Sequence, residues 1–321
     1  MIALKTLTIN PMFIVNNRKI FYTFSLVLIA ASIVAAIVWG FSFGIDFKGG
    51  SSVQFQYTGT TPALDAVKTQ LNTLDLNPSI VGNYTLVPTG NNGYILSMRT
   101  VTETERAEIT ALIVASAAKG TTVELKQFSS VGPTLGAEAA TKSVESIFLV
   151  IIAIVIFLTF AFRKVSEPVS SWKYGIVSII ALSHDVIIPT GVFIALNHFF
   201  HTYQIDTLFV TAILVILGFS IHDTIVVFDR VRENLKDNFG NKHKKNFEQI
   251  VGESISQTFV RSINTSLTTL LAVLVVYLIG PAATKNFALV LFVGIFFGTY
   301  SSIFIGSNLL VTIEKMQSKK N

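Results

Sequence analysis

The chain has 321 residues, of which 51% are hydrophobic and only 13% are charged. A soluble chain of this length needs more charged surface, so the composition argues against one or two soluble domains. The sequence contains no cysteine, so a disulfide, thiol chemistry and a cysteine-based metal site are excluded. The formal net charge of +5 would suit nucleic-acid binding, and the position of the cations decides whether it does.

Six largely uncharged stretches are long enough to cross a bilayer, since a helix needs roughly 20 residues for a hydrocarbon core of about 30 Å. Each must be helical, because backbone amides in lipid have no water to bond. The predicted spans are residues 20–43, 143–163, 174–196, 207–228, 262–280 and 287–310. The first span is too long for the hydrophobic region of a cleaved signal peptide, and we expect it to be a retained anchor.

The cations lie mainly on one side of these spans. With the N-terminus in the cytoplasm, 16 of the 24 Lys and Arg residues are inside, in the tail 1–19, the loop between spans two and three, the loop 229–261 and the tail 311–321. Seven of the others lie in one long outer loop, which is translocated regardless of charge. We therefore expect both termini in the cytoplasm, and we interpret the basic charge as topology rather than as a nucleic-acid site.

The outer loop, residues 44–142, is long enough to form a small domain. Alternating apolar residues predict strands, and Pro, Gly and a capping box at Thr102–Glu105 predict helix ends. The predicted order is a strand at 53–57, a helix at 61–74, strands at 80–87 and 94–100, a helix at 102–119 and a strand at 123–128. This βαββαβ order is typical of a ferredoxin-like α+β domain. On the cytoplasmic side, an amphipathic helix is expected near 247–259.

Ionisable residues inside the spans are the main candidates for function. The segment Gly49-Gly50-Ser51-Ser52 lacks the spacing of a phosphate-binding loop, which argues against an ATP-driven protein. His184 and Asp185 lie midway along span three, and His222 and Asp223 lie in the cytoplasmic half of span four. A charge at a helix centre costs on the order of 2.5–3.5 kcal/mol on insertion scales. These side chains are therefore expected to face the bundle or a water path.

Asp223 has a candidate partner in span five. Arg261, Asn264, Thr265 and Thr268 follow helical spacing and form one polar stripe, which we expect to point into the bundle towards Asp223. A carboxylate that alternates between an Arg pair and a protonated, buried state is a proton carrier. The alternative is that the polar groups only fasten helices together.

Three other patterns have simpler interpretations. His184 and Asp185 have no evident cationic partner, and neighbours on a helix point about 100° apart, so adjacency alone does not make either His-Asp pair a dyad. Two His and two Asp on separate helices make a weak case for metal, and no metal site is predicted. Small residues every four positions in span six predict close helix packing: Gly294, Gly298, Ser302 and Gly306.

Five motifs resemble signatures of the SecF family of protein-export membrane subunits. They are FGIDFKGG at 43–50, VGPTLG at 131–136, SHDV at 183–186, IHDTIVVFDRVREN at 221–234 and RSINTSLTTL at 261–270. They occur in the family's order and together with the six spans cover essentially the whole chain. One departure is His222, where the family usually has Asn.

The resemblance implies an α-helical polytopic protein of resistance-nodulation-division type, with six transmembrane helices and a small periplasmic α+β domain. It implies a bacterial inner-membrane protein that is not an enzyme, has no cofactor other than protons as the coupling ion, and uses the proton-motive force to export unfolded preproteins. The implied partners are a SecD-like subunit, the SecYEG channel and a YajC-like accessory protein, with no nucleic acid. By motif, Asp223 and Arg261 occupy proton-path positions, and Gly44, Asp46, Gly49 and Gly50 form the periplasmic signature loop.

Two alternatives remain open from the sequence. One is a proton-driven exporter of small molecules or lipids from the same superfamily, although such exporters usually have two outer domains and twice as many spans. The other is a purely structural membrane subunit that stabilises a partner.

Overall fold

The computed structural model describes residues 10–73, 84–89, 92–115, 117, 120–162, 171–200, 202–240 and 244–318. The chain separates into two units. The helical unit comprises Met1–Gly40, Ser146–Ala195 and Thr211–Asn321, and the sheet unit comprises Phe41–Glu145 and Leu196–Val210.

The described elements follow one another in this order: α1 (Pro11–Asn16), α2 (Arg18–Trp39), α3 (Ile45–Lys48), β1 (Gly50–Thr58), α4 (Leu64–Thr73), β2 (Thr85–Thr89), β3 (Gly93–Met98), α5 (Glu103–Ala115), β4 (Thr122–Val131), α6 (Pro133–Ala161), α7 (Ser171–Phe200), α8 (Thr207–Gly240), α9 (Phe247–Ile279), α10 (Ala282–Tyr300), a π-helical segment (Ser301–Gly306) and α11 (Ser307–Ser318).

Six helices in the described part of the chain are long and apolar enough to cross a membrane. They coincide with the six predicted spans, and the sixth consists of α10, the π-helical segment and α11. The segment 247–259, where an amphipathic helix is predicted, is helical and continuous with span five, because α9 runs from Phe247 to Ile279 without a break. Its start is fixed by a capping box in which the Asn246 side chain accepts from the Gln249 amide at 2.9 Å.

Glycines allow the sixth span to approach the fourth, as the small-residue spacing predicted. A Cβ on Gly294 would lie 2.1 Å from the Ile216 side chain, and one on Gly298 would lie 3.2 Å from the Ser220 Cβ. The cytoplasmic start of α9 is also tied to its neighbours. Glu248 there pairs with Arg18 at 2.9 Å and with Lys315 at 2.5 Å, which joins α9 to α2 and α11.

The sheet unit has the predicted βαββαβ order. Its four strands form an antiparallel sheet in the order β2-β3-β1-β4, which is the ferredoxin-like arrangement. Val53, Phe55 and Tyr57 are buried on one face and pack against apolar residues of α4 and α5. Period-two alternation therefore predicted the core face of β1 correctly.

Several boundaries in the sheet unit differ from expectation, including those of α4 and β2. Helix α4 begins at Leu64 rather than at Thr61, and the Pro62 carbonyl accepts a hydrogen bond from the Tyr94 hydroxyl at 2.5 Å. The strand predicted over 80–87 is observed from Thr85, and residues 80–83 lie outside the described part. The capping box of α5 is confirmed, because the Thr102 amide donates to the Glu105 carboxylate at 2.8 Å and the Glu105 amide lies 3.4 Å from Thr102 Oγ1.

We predict that this cap makes the stability of α5 depend on acid. The Arg99 side chain, bonded to the Glu105 carboxylate at 2.5 Å, and the Thr102 amide lower the pKa of Glu105 from 4.5 to about 2. Because the folded-state pKa lies below the unfolded one, the contribution is present above the unfolded pKa and is lost as the pH falls through the folded one.

Hydrogen exchange of α5 in the full chain tests this prediction. Glu105→Gln should exchange faster than the wild type near neutral pH, and the difference should disappear as the pH approaches about 2. Glu103→Gln removes a carboxylate from the same turn without removing a bond to a backbone amide, and it serves as the control. A difference that does not change with pH would contradict the prediction.

Candidate functional site

Asp223 lies at the centre of the helical unit and is only 1% exposed. Its Oδ2 accepts a hydrogen bond from Ser266 Oγ of α9 at 3.1 Å and one from Thr299 Oγ1 of α10 at 3.4 Å. Thr299 Oγ1 also lies 2.6 Å from Ser266 Oγ, so its single proton can go to either acceptor. One carboxylate on α8 therefore connects three membrane-spanning helices.

The surroundings of Asp223 contain a histidine but no bonded cation. His222 Nδ1 lies 3.8 Å from Asp223 Oδ1, which is longer than a hydrogen bond, and the His222 side chain is 61% exposed. Among the described residues, no Lys or Arg makes a salt bridge with Asp223. Serine and threonine hydroxyls can donate to an ionised carboxylate and accept from a protonated one. The site can therefore accommodate either protonation state.

The polar stripe of span five does not face Asp223 within this chain, and that expectation was wrong. Arg261, Asn264 and Thr268 are exposed. The hydroxyls of Thr265 and Thr268 donate to backbone carbonyls of their own helix at 2.9 and 2.8 Å. The face that meets Asp223 instead carries Ser266.

Helix geometry explains this error. Helix α9 is polar on two faces, and the buried Ser262 and Ser266 lie about 100° from the predicted stripe. The predicted stripe and the two buried serines both follow helical spacing, so by spacing alone either face could point into the bundle. The stripe contains an arginine and more polar residues than the serine face, and for that reason it was predicted to be the inward face.

His184 and Asp185 form a second buried site. His184 Nδ1 lies 2.8 Å from Asp185 Oδ1, so these neighbours are in contact although adjacency did not predict it. Asp185 Oδ2 also accepts from Ser220 Oγ of α8 and from Ser301 Oγ at 2.8 Å.

The hydroxyl residues around the two carboxylates were missed by the sequence analysis. A single Ser or Thr in an apolar helix is common, because it can bond its own backbone and needs no partner. A signal was the polar run Thr299, Ser301 and Ser302 in the middle of span six, of which only Ser302 belongs to the predicted packing ridge. The remaining missed residues are Ser25, Ser220 and Ser266.

The predicted signature loop fixes the start of α8, the helix that carries Asp223. The Gly44 amide donates to the Ile205 carbonyl at 2.9 Å. Asp46 Oδ2 accepts from both the amide and the hydroxyl of Thr207, at 3.0 and 2.6 Å, so it caps the first turn of α8. Burial raises the pKa of the neighbouring Asp206, and the Asp46 carboxylate raises it further.

The paired glycines of this loop are required by the backbone. Gly49 has φ 73° and ψ 160°, a conformation essentially confined to glycine, and its Cβ would lie 2.8 Å from the Pro133 Cα. Gly50 has φ 138°, and its Cβ would lie 2.5 Å from the Met98 carbonyl oxygen. A Cβ on Gly136 would lie 2.8 Å from the Gly49 amide nitrogen. The first two sequence motifs therefore form one packed joint.

Comparison with known proteins identifies the family. The model for "Protein export membrane protein SecD/SecF, C-terminal" matches residues 112–316, and the model for the "SecD/SecF GG Motif" matches residues 40–61. The protein translocase subunit SecF of Thermobaculum terrenum is 40% identical over 308 residues, covering 94% of this chain and 93% of the relative. The corresponding subunit of Anaerolinea thermophila is 35% identical, covering 94% of each.

This chain belongs to the SecF family.

Two solved structures similar to this SecF-family chain are of longer proteins. A crystal structure of SecDF, a translocon-associated membrane protein from Thermus thermophilus, has a TM-score of 0.78 at 29% identity. A structure of SecDF in a super-membrane-facing form has a TM-score of 0.62 at 27% identity. The aligned regions include 96% and 95% of this chain but only 39% of each SecDF chain.

The family places this chain among protein translocase subunits, a transport role rather than a catalytic one. The matched GG motif, residues 40–61, contains the four loop residues selected from the sequence. In this SecF-family chain these residues are structural, because they cap α8 and pack against the start of α6.

We predict that Gly49→Ala destabilises the sheet unit by about 1–3 kcal/mol from backbone strain, with a further cost from the contact with Pro133. Gly132→Ala is the matched control, because nothing lies within 4 Å of its added Cβ. Both variants can be compared by hydrogen exchange of β1 in the full chain. Equal protection of β1 in the two variants would show that the Gly49 conformation is not required.

Proposed function

We propose that this chain couples proton movement through the membrane to protein export, as one part of a complex with a SecD-like subunit. The observation that carries the proposal is a buried carboxylate, Asp223, bonded to hydroxyls of two other membrane-spanning helices. Such a group is costly in a membrane and is typical of ion and proton paths. A proton crossing the membrane potential supplies about 2.3 kcal/mol per 100 mV, which is energy for moving one helix against another.

The hydroxyl cluster provides an entry towards Asp223. Ser266 Oγ donates to Asp223 and also lies 2.9 Å from the Ser262 carbonyl oxygen. The Ser262 hydroxyl, one turn away, is buried and has no hydrogen-bond partner among the described residues. It is therefore available for a proton path that continues from Ser266 towards the cytoplasmic end of α9.

The exposed polar residues at the level of Asp223 support a partner subunit. Arg261, Asn264 and Thr268 lie on the surface of α9, and His222 is exposed on α8. Nothing within 4 Å would meet a Cβ on Gly218, one turn before His222, so another helix can approach closely there. Arg or Asn facing lipid is unfavourable, so a second membrane protein covering this surface is favoured.

The SecDF structures indicate what that partner is. This chain corresponds to about two fifths of SecDF, and a SecD-like subunit would supply the rest. In the proposed complex, Arg261 and His222 complete the proton path at the contact between subunits. The family resemblance adds the SecYEG channel, a YajC-like protein and unfolded preproteins as partners. The distribution of Lys and Arg favours both termini in the cytoplasm, and the family resemblance adds a bacterial inner membrane.

We predict that Asp223→Asn leaves assembly with the SecD-like subunit intact but abolishes proton-dependent export, because the amide cannot carry the proton. The matched control is Asp229→Asn, which makes the same change on the same helix at a side chain that is 67% exposed. The measurement is export into inverted vesicles that contain the complex, with and without a proton gradient. Gradient-dependent export by Asp223→Asn would instead support a structural subunit.

We also predict that Arg261→Ala is at least as harmful to export as Asp223→Asn, and that the double variant is no worse than the more harmful single one. Non-additivity is expected when two residues serve one path. Because the chain has no cysteine, Thr268→Cys can be cross-linked to the partner without background. Ile152→Cys on the exposed apolar side of α6 is the control. Additive losses, or cross-linking at Ile152→Cys only, would refute this arrangement.

A further inference from the structure

The buried site around Asp185 has no role in the proposed function so far. Asp185 is 0% exposed and His184 is 2% exposed. The carboxylate contacts groups from three directions: His184 on its own helix, Ser220 on α8 and Ser301 at the start of the π-helical segment. A buried carboxylate with this many donors is more than a single fastening contact, because its charge determines which of those hydrogen bonds can form.

The Ser301 hydroxyl has two possible acceptors. It lies 2.8 Å from Asp185 Oδ2 and 3.0 Å from the Gly298 carbonyl oxygen of its own helix. A hydroxyl has one proton and can donate to only one of them at a time. When Asp185 is ionised, the charged oxygen is the stronger acceptor. When Asp185 is protonated, it can donate to Ser301 Oγ, and the Ser301 proton then turns to Gly298.

The Gly298 carbonyl lies where the helix changes its hydrogen-bond pattern. It is within reach of the Ser301 amide, which also points at the Phe297 carbonyl, and it accepts from Ser302 Oγ at 2.8 Å. A carbonyl oxygen has two lone pairs. A third donor from the Ser301 hydroxyl therefore displaces one of the others. The residues that follow, Ser301–Gly306, are π-helical, a geometry that is rare and frequent at functional sites.

We propose that Asp185 is a second protonatable site of the translocase subunit, and that the Ser301 hydroxyl transmits its protonation state to the π-helical segment of span six. The new carboxyl O–H at Asp185 Oδ2 donates a hydrogen bond to Ser301 Oγ, and the Ser301 hydroxyl, whose own O–H stays intact, rotates to donate to the Gly298 carbonyl. No covalent bond other than the carboxyl O–H is formed. The competition at Gly298 then changes the backbone hydrogen-bond pattern at the start of the segment.

Span six also contacts the other carboxylate, which makes it suited to respond to both. Thr299 Oγ1 bonds Asp223 Oδ2 at 3.4 Å, and Ser301 Oγ bonds Asp185 Oδ2 two residues later. A change at either carboxylate therefore alters a hydrogen bond within the same turn. This proposal rests on the proposed function in one respect, since it assigns the motion of span six to the proton-coupled cycle.

The titratable groups facing Asp185 are few in the part of the chain that the structure describes. His184 contacts it directly and also lies 3.2 Å from Ser25 Oγ on α2. Tyr300 on α10 stacks on the His184 ring with centroids 6.1 Å apart and bonds Ser25 at 3.4 Å. From α8, Asp185 receives only the neutral Ser220, and none of the salt bridges joins a Lys or Arg to it. Among the described residues, His184 is thus the one titratable side chain that contacts Asp185.

The test measures the geometry of span six directly. Spin labels on Phe296→Cys and Met316→Cys, both exposed, report the distance across the π-helical segment in the complex with its SecD-like subunit. Labels on Leu271→Cys and Phe296→Cys, which lie on α9 and α10, form a reference pair that does not cross the segment. We expect the first distance to change by about 1–2 Å between acidic and basic pH, as in other helix shifts. The reference distance should stay constant.

Ser301→Ala should abolish this pH response, and it should reduce gradient-dependent export about tenfold or more, the loss expected for a hydrogen bond to a charged group. Ser178→Ala is the matched control, because that buried serine on α7 donates only to the Tyr174 carbonyl. It should retain both the response and the export. Asp185→Asn should also lose the response, and Ser301→Ala keeps the test decisive if that variant does not fold.

The outcomes separate this proposal from the proposed function. A response that persists in Ser301→Ala, or that is missing in the wild type, overturns the role of Ser301 whatever export shows. Gradient-dependent export by Asp223→Asn overturns the proposed function, while the distance measurement still decides on Asp185. Loss of the response in both Ser301→Ala and Ser178→Ala would show a general packing effect and would also overturn the proposal.

Discussion

The hydrogen bonds to two buried carboxylates are the constraint on which the helical unit depends. Asp185 and Asp223 lie among apolar helices, where an unbonded carboxylate is strongly unfavourable. Their donors are short hydroxyl side chains, which reach only when helices lie close together. The glycines at positions 294 and 298 allow that approach between spans six and four. Close packing at small residues is therefore what allows the two carboxylates to be buried with hydrogen-bond donors.

Precise hydrogen bonding at short range also requires that each helix start in a fixed place. Asp46 caps α8 through Thr207, and Glu248 holds the start of α9 through Arg18 and Lys315. A shift of α8 by one residue would turn Asp223 by about 100° and remove it from Ser266.

Residue spacing predicts the fold correctly where a pattern is compatible with one structure only. Six apolar stretches can only be helices in a membrane, and the alternation of Val53, Phe55 and Tyr57 has one buried face. It failed for α9, where Ser266 and Arg261 belong to two polar faces and only tertiary contacts choose between them. The structure also contains the His184–Asp185 contact and the π-helical segment Ser301–Gly306. Neither is encoded in residue spacing.

Asp223 is contacted by neutral hydroxyls, while Arg261 lies on another face of α9, and this arrangement suits a carboxylate that must change its charge. An arginine bonded to Asp223 inside this chain would hold it ionised, whereas Ser266 and Thr299 are neutral and accept either state. Arg261 lies instead on the exposed face of α9. In the proposed complex, its influence on Asp223 depends on the position of the partner subunit. Coupling between proton and movement would then belong to the contact between subunits, because only that contact changes the charge that Asp223 experiences.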